Sequence, residues 1–248
     1  MYPCKNRHHG CGYIDRDGTL RATYPVFGTR EYLKRMFRLV KANNPDGYLV
    51  NHVSYNIFIP TMGFTDVYYT GEHEHYEDLV KARVRWQGTQ WGIWPILLGG
   101  DSHSYEPMHT MYGLLNGCGV WVQGATGRND TQRKTVNLWN TYDAFGYRDA
   151  EWVPYFKAEE RGLARVASED AKASLYLREG EGALLVVGNT LHEAVGTQVT
   201  VDLAQMGLAG ADLRAYNALS GREIPLDDGA LDVRIRPVSF VLVRIDRR

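Results

Sequence analysis

The sequence has few cysteines, no long apolar run and no surplus of either charge. Three cysteines in 248 residues cannot all pair within one chain and are too sparse for a disulfide-stapled scaffold, so a cytoplasmic setting is expected. The longest apolar runs, such as 93–98, are too short to cross a bilayer, and the N-terminus lacks the basic-then-apolar pattern of a signal peptide. Twenty-eight basic residues face 29 acidic ones, for a formal net charge of −1. With no block of one sign, this argues against a nucleic-acid or membrane-surface partner and for a neutral or small ligand. The Gly-rich phosphate loop and the G-x-S-x-G elbow are also missing, which argues against phosphoryl transfer and serine-hydrolase chemistry.

What is present follows two grammars. Up to about Tyr155, short apolar strands alternate with helical patterns. Thr29 is read as the cap of a helix with Leu33, Met36, Phe37 and Val40 on one face, ended by Asn43-Asn44-Pro45-Asp46-Gly47. Strands are expected at 48–53, 66–69, 92–98 and 119–122. Helices are expected at 76–86, from Pro107, and from a cap at Asp130 or Thr131. Four such units read as parallel β/α. A complete eight-stranded β/α barrel needs roughly 250 residues, so residues 1–156 are read as a partial, half TIM-type barrel. Its open edges and apolar inner face call for self-association, most simply as a homodimer.

From 157 to 248 the pattern becomes short alternating strands, at 174–177, 183–187, 198–203, 213–216, 231–235 and 239–245. Turn sequences such as Gly180-Glu181-Gly182, Ser220-Gly221 and Asp227-Asp228-Gly229 separate them. The fold class is therefore α/β plus all-β, a partial barrel followed by a C-terminal antiparallel β-sandwich. All six tryptophans lie between Trp86 and Trp152, so the tail is read as structural.

In parallel β/α folds, ligands meet the loops after the strands. Glu72 follows the second strand in a Gly-Glu step, and Asp101 follows Gly99-Gly100 after the third; these are the leading catalytic carboxyls. Helix capping and pairing with Arg83 or Arg85 are the structural alternatives for Glu72, and an N-cap role for Asp101. His52, His103, Trp121 and Gln123 also stand at or beyond strand ends. An indole beside an amide on one strand face suits a sugar ring, although a packed core tryptophan is the commoner role. His73 and His75 form an H-x-H pair of metal-hydrolase type, but it falls after a strand and not within one, so no metal is assigned.

The stretch "CKNRHHGCGYIDRDG", residues 4–18, supports several readings. Cys4, His8, His9 and Cys11 have the elements of a zinc site but not a usual knuckle spacing, a Cys4–Cys11 disulfide is sterically conceivable, and a reduced loop held by packing is the commoner outcome. His9, Tyr13 and Asp15 are read as lining a pocket, with Asp15 a third candidate carboxyl; Asp17-Gly18 reads as a turn.

Together with "YPVFGTREYLKRM", "NNPDGYLVNHVS", "GFTDVYYTGE" and the β-rich tail, this stretch resembles the later part of bacterial glycoside-hydrolase-like proteins related to glycoside hydrolase family 123. The resemblance implies a catalytic barrel with a C-terminal sandwich, a carbohydrate substrate and no cofactor. That family uses an adjacent Asp-Glu pair at a strand end. This sequence has no Asp-Glu dipeptide, only Glu77-Asp78 and Glu169-Asp170 in reversed order. The pair is therefore not carried over, and a non-catalytic carbohydrate-binding or assembly module is the competing reading.

Overall fold

In the computed structural model the described residues are 2–53, 58–70, 79–86, 93–98, 107–121 and 130–248. Their contacts group the chain into two units, Met1–Glu74 with Trp91–Trp94, and His75–Gln90 with Pro95–Arg248.

The first unit opens with a hairpin, β1 (Tyr13–Ile14) and β2 (Leu20–Arg21), paired antiparallel. Ahead of it, a single 3₁₀ turn at Arg7–His9 is capped by the Asn6 side chain, which accepts from the His8 N–H at 2.9 Å. Helix α1 (Val26–Asn43) buries Leu33 and half-buries Met36, Phe37 and Val40, the face read from the sequence. It starts at Val26, three residues before Thr29 and directly after Pro25 at the N-cap, whose ring fixes φ at −76°, already near helical, and whose missing N–H is one a helix start leaves unbonded anyway. Strand β3 (Val50–Val53), the short helix α2 (Ile59–Met62) and strand β4 (Val67–Thr70) follow. The two strands pair in parallel, Val50 against Val67 through Val53 against Thr70.

Asp66 secures the entry to this pair. Its carboxylate accepts the Leu49 N–H at 2.8 Å and the Lys41 ammonium at 2.8 Å. Burial pushes the Asp66 carboxyl up, but these two donors outweigh it and hold it below the ordinary carboxylate range.

Next come α3 (Leu79–Trp86), β5 (Trp94–Leu98), α4 (Pro107–Leu115), β6 (Gly119–Trp121) and α5 (Asp130–Phe145), all grouped in the second unit except Trp94. Strands β5 and β6 are parallel. Leu97 and Val120 lie opposite each other and beneath α4, so closely that a Cβ added at Gly113 would sit 3.0 Å from the Leu97 side chain. The chain then forms β7 (Glu151–Val153), α6 (Tyr155–Glu160), β8 (Ala164–Val166), β9 (Ala171–Arg178), β10 (Gly182–Asn189), β11 (Val195–Val201), β12 (Leu213–Asn217), β13 (Glu223–Ile224), β14 (Ala230–Ile235) and β15 (Ser239–Arg247).

These strands make a six-stranded sheet, ordered β13-β12-β15-β10-β9-β7, and a three-stranded one, β14-β11-β8, with antiparallel pairing throughout. Leu185, Val187, Val243 and Ile245 of the larger sheet share a core with Val199, Leu231 and Val233 of the smaller. The antiparallel tail expected from the sequence is therefore present, with three strands, β7, β8 and β13, too short to leave a period-two signature. The molecule is a mixed α/β protein, with parallel strands in its first part and antiparallel sheets in its second.

The larger sheet is covered on its other face too. Leu184, Val186 and Leu242 alternate with the shared core and are fully buried, and α4 packs on β9, β10 and β15. At Gly188 an added Cβ would lie 2.7 Å from Leu115 and 2.8 Å from Met111, so the helix rests on the strand's backbone. Ser174 pins this joint. Its hydroxyl donates to the Leu115 carbonyl at 2.7 Å, the last residue of α4, and accepts the Tyr155 N–H at 2.8 Å.

Candidate functional site

Two of the candidate residues lie near the C-terminal ends of parallel strands, His52 on β3 in the first unit and Trp121 on β6 in the second. In the first unit, β3 and β4 run side by side so that His52 faces Tyr69 in the register. Their rings stand 5.0 Å apart at 35°. His52 is exposed while Tyr69 is buried, so the imidazole forms the accessible end of an aromatic ledge backed by a phenol. The adjacent positions Asn51 and Tyr68 point to the opposite face by strand alternation, where the Asn51 amide approaches the Met62 sulfur at 3.7 Å. Such a ledge offers a flat polarisable surface and a ring nitrogen able to take part in a hydrogen bond.

In the second unit, Trp121 ends β6 half-buried and on the face opposite Val120. The indole is thus on the side of the strand away from α4. Trp139 buttresses the same strand from the helix side, its indole N–H donating to the Val120 carbonyl at 2.7 Å.

Glu72, Asp101, His103 and Gln123 lie outside the described residues, as do His73 and His75. Along the chain Glu72 comes two residues after the end of β4, Asp101 three after β5 and Gln123 two after β6.

The opening stretch is a small ordered knot. Cys4 and Thr23 exchange backbone hydrogen bonds at 2.8 and 3.0 Å, and the Thr23 hydroxyl accepts the Gly12 N–H at 2.7 Å. Gly12 has φ +74°, and a Cβ there would come within 3.0 Å of the Arg21 carbonyl, so glycine is required where the loop doubles back. Cys4 and Cys11 are free thiols. Burial raises the Cys11 thiol above its ordinary range, helped by a hydrogen bond with Cys4. Among the described residues no group of three or more His, Cys, Asp or Glu side chains is arranged to hold a metal ion.

Asp15 sits in the exposed β1–β2 turn. Its carboxylate accepts the Arg16 N–H at 2.8 Å and Arg21 Nε at 3.2 Å, and its carbonyl accepts the Gly18 N–H at 2.9 Å. Asp17 pairs with the same arginine at 3.1 Å, and hydrogen bonds from Thr19 hold its carboxyl below the ordinary value. Tyr13, on β1, is half-exposed. His9 is exposed, its ring nitrogen 3.2 Å from the Asn6 amide. These three candidates belong to the hairpin and its preceding turn, and His52 to a separate strand pair.

The Tyr69 phenol escaped sequence reading. Its signal would have been strand register, which a single sequence does not reveal until the pairing partner is known.

No family model matches the chain, and no curated protein matches its sequence. Solved structures do share its fold. An α-amylase from Anoxybacillus superposes with a TM-score of 0.53 at 8% identity, over 88% of this chain and 56% of that one. A GH27 β-L-arabinopyranosidase from Geobacillus stearothermophilus gives 0.54 at 11% identity, over 88% and 62%. An α-galactosidase I from Mortierella vinacea gives 0.50 at 9% identity, over 89% and 63%. The chain spans between 56% and 63% of the length of these three. At such identities the likeness is one of fold, shared with these glycosidase structures.

Proposed function

We propose that this chain is a glycoside hydrolase, or a relative of one, that acts on a glycosidic bond by carboxylate acid–base chemistry without a cofactor. The observation that carries the reading is the combination of parallel strand pairs and antiparallel sheets shared with glycosidase structures, with carboxyl residues placed in sequence just after the strands. In this reading 1–156 is a partial β/α barrel and 157–248 a supporting sandwich. Kinship with family 123 is its narrower form.

Glu72 is the general acid that protonates the leaving oxygen. Its partner is Asp101 or Asp15, and Asp101 is preferred because Asp15 is already engaged by Arg21. The two carboxyls must stand about 5 to 10 Å apart around the anomeric carbon. His52, Trp121, Gln123 and His103 shape the sugar pocket, and a second copy of the chain covers the open strand edges. Turnover of a panel of aryl glycosides by wild type and Glu72→Gln tests the assignment. A loss of 10²-fold or more, in keeping with the usual contribution of about 10² to 10⁴ from a general acid, is expected; equal rates remove Glu72 from the reaction.

The missing Asp-Glu pair favours one alternative, a catalytically silent carbohydrate-binding or assembly module. Saturable sugar binding with no turnover by either protein selects it.

A further inference from the structure

The larger antiparallel sheet carries a hollow for which the reaction proposed above has no use. Strand register aligns four residues in one row across it: Arg178 on β9, Gly182 on β10, Asp246 on β15 and Arg214 on β12. The glycine leaves a gap in the middle of that row. A Cβ at Gly182 would lie 2.5 Å from the Ile245 carbonyl oxygen, so no other residue fits there. The gap is the floor of a cavity of about 280 Å³, walled by Arg178 and Arg214, by Arg244 from the neighbouring row and by Arg247 at the strand end.

Four guanidiniums thus surround one opening against two carboxylates, Glu181 and Asp246, a formal surplus of two positive charges. Asp246 is fully engaged, one oxygen accepting Arg244 Nε at 2.9 Å and the other the Tyr216 hydroxyl at 2.8 Å. Glu181 pairs with Arg178. The C-terminal end of α5 takes one further N–H from each of two arginines, Phe145 O from Arg178 at 3.2 Å and Ala144 O from Arg244 at 3.3 Å. That end carries only about half a negative charge, which does not cancel the surplus. Arg247 donates to the Gly207 carbonyl at 3.1 Å, and Arg214 stacks on the Tyr216 ring at 4.8 Å. A guanidinium presents five N–H donors, so these contacts orient the four side chains while leaving most of their donors for a ligand.

We propose that this hollow is a binding site for an oxyanion group, a phosphate, a sulfate or a sugar-borne carboxylate. Planar forked donors fixed in position are the arrangement that recognises such groups, through paired, charge-assisted hydrogen bonds. The cavity admits a group no larger than a single sugar ring, because it lies just below the range of about 300 to 1,000 Å³ typical of drug-sized ligands. The site lies wholly in the second unit and does not depend on the proposed hydrolysis.

The test is calorimetric titration of the full chain at low ionic strength with inorganic phosphate, inorganic sulfate and glucuronate in turn, on wild type and on the double variant Arg214→Gln/Arg247→Gln. Both substituted arginines are exposed, so the variant should melt where the wild type does. Saturable binding of at least one probe, weakened about tenfold or more in the variant and by added salt, is expected. Glucuronate binding more tightly than both inorganic ions identifies the group as one borne on a sugar; phosphate or sulfate binding more tightly identifies a free anion. No saturation by any of the three up to roughly 10 mM, a Kd above which binding is worth less than about 3 kcal/mol, or equal affinity in the variant, overturns the proposal.

Discussion

Ser174 offers the sharpest quantitative test of how the second unit is held together. Its side chain is fully buried, and it joins three elements at once: β9, which bears it, the end of α4 through the Leu115 carbonyl, and the start of α6 through the Tyr155 N–H. Ser174→Ala removes both bonds and leaves a donor and an acceptor where water does not reach. An orphaned buried group costs about 1 to 3 kcal/mol, so the two together should destabilise the unit by about 3 kcal/mol. At about 2 to 4 °C per kcal/mol for a domain of this size, the melting temperature should fall by roughly 9 °C. Calorimetry gives the shift, and urea titration should show a lower midpoint with an unchanged slope if only native stability has altered. A fall below about 2 °C, corresponding to under 1 kcal/mol, would refute the reasoning: the hydroxyl would then not be the joint, and apolar packing of α4 on the sheet would hold the unit without it.

Other perturbations probe other parts. Because the Asp66 carboxyl is depressed in the folded chain, its contribution is complete above the ordinary carboxylate pKa of about 3.9 and declines as pH falls below it. Asp66→Asn should flatten the acid limb of stability between about pH 4 and 2, and an unchanged limb in urea titrations across that range would exclude the Lys41–Asp66 contact as its source. Gly117 has φ +69°, and a Cβ there would lie 2.6 Å from the Trp152 ring. Gly117→Ala should therefore lower stability by about 2 kcal/mol or more, read by thermal unfolding, from backbone strain and displacement of the indole combined. Cys118 is fully buried with its thiol pushed well above the ordinary value by burial, whereas Cys4 is half-buried. A thiol reagent at pH 8 should label Cys4 first and Cys118 only on unfolding, and mass mapping that finds Cys118 labelled as fast as Cys4 would contradict the burial.

Features with a repeating physical signature were legible in the sequence. The apolar face of α1 shows through Leu33, Met36, Phe37 and Val40 because helical periodicity needs no knowledge of partners. The alternation along β14, Leu231 and Val233 inward with Asp232 and Arg234 outward, is likewise self-evident. Strands β3 and β4 and helices α4 and α5 also fall where hydrophobic pattern and turn residues place them.

What escaped depends on pairing. The ring stack of His52 on Tyr69 and the arginine row at Gly182 arise from register between strands distant in sequence. Arg178, Arg214 and Arg244 each read singly as solvent-facing residues of an alternating strand. Asp15 was legible as a carboxyl near two histidines, but the turn it occupies and the arginine six residues on that engages it become visible only in the fold. The zinc reading of Cys4, His8, His9 and Cys11 was weakened by spacing alone, and the fold there has its own explanation in the closing of Cys4 and Gly12 onto Thr23.

Strand β10 is buried along its whole length, with side chains of the smaller sheet under one face and α4 against the other. This arrangement makes the second unit hard to shuffle. A gene fragment encoding only the antiparallel strands would present Leu184, Val186 and Leu242 to water and would yield a sticky product in search of a lid. Recombination can therefore transplant this tail into another protein only together with the helix that roofs it, or into a host that already supplies an equivalent one.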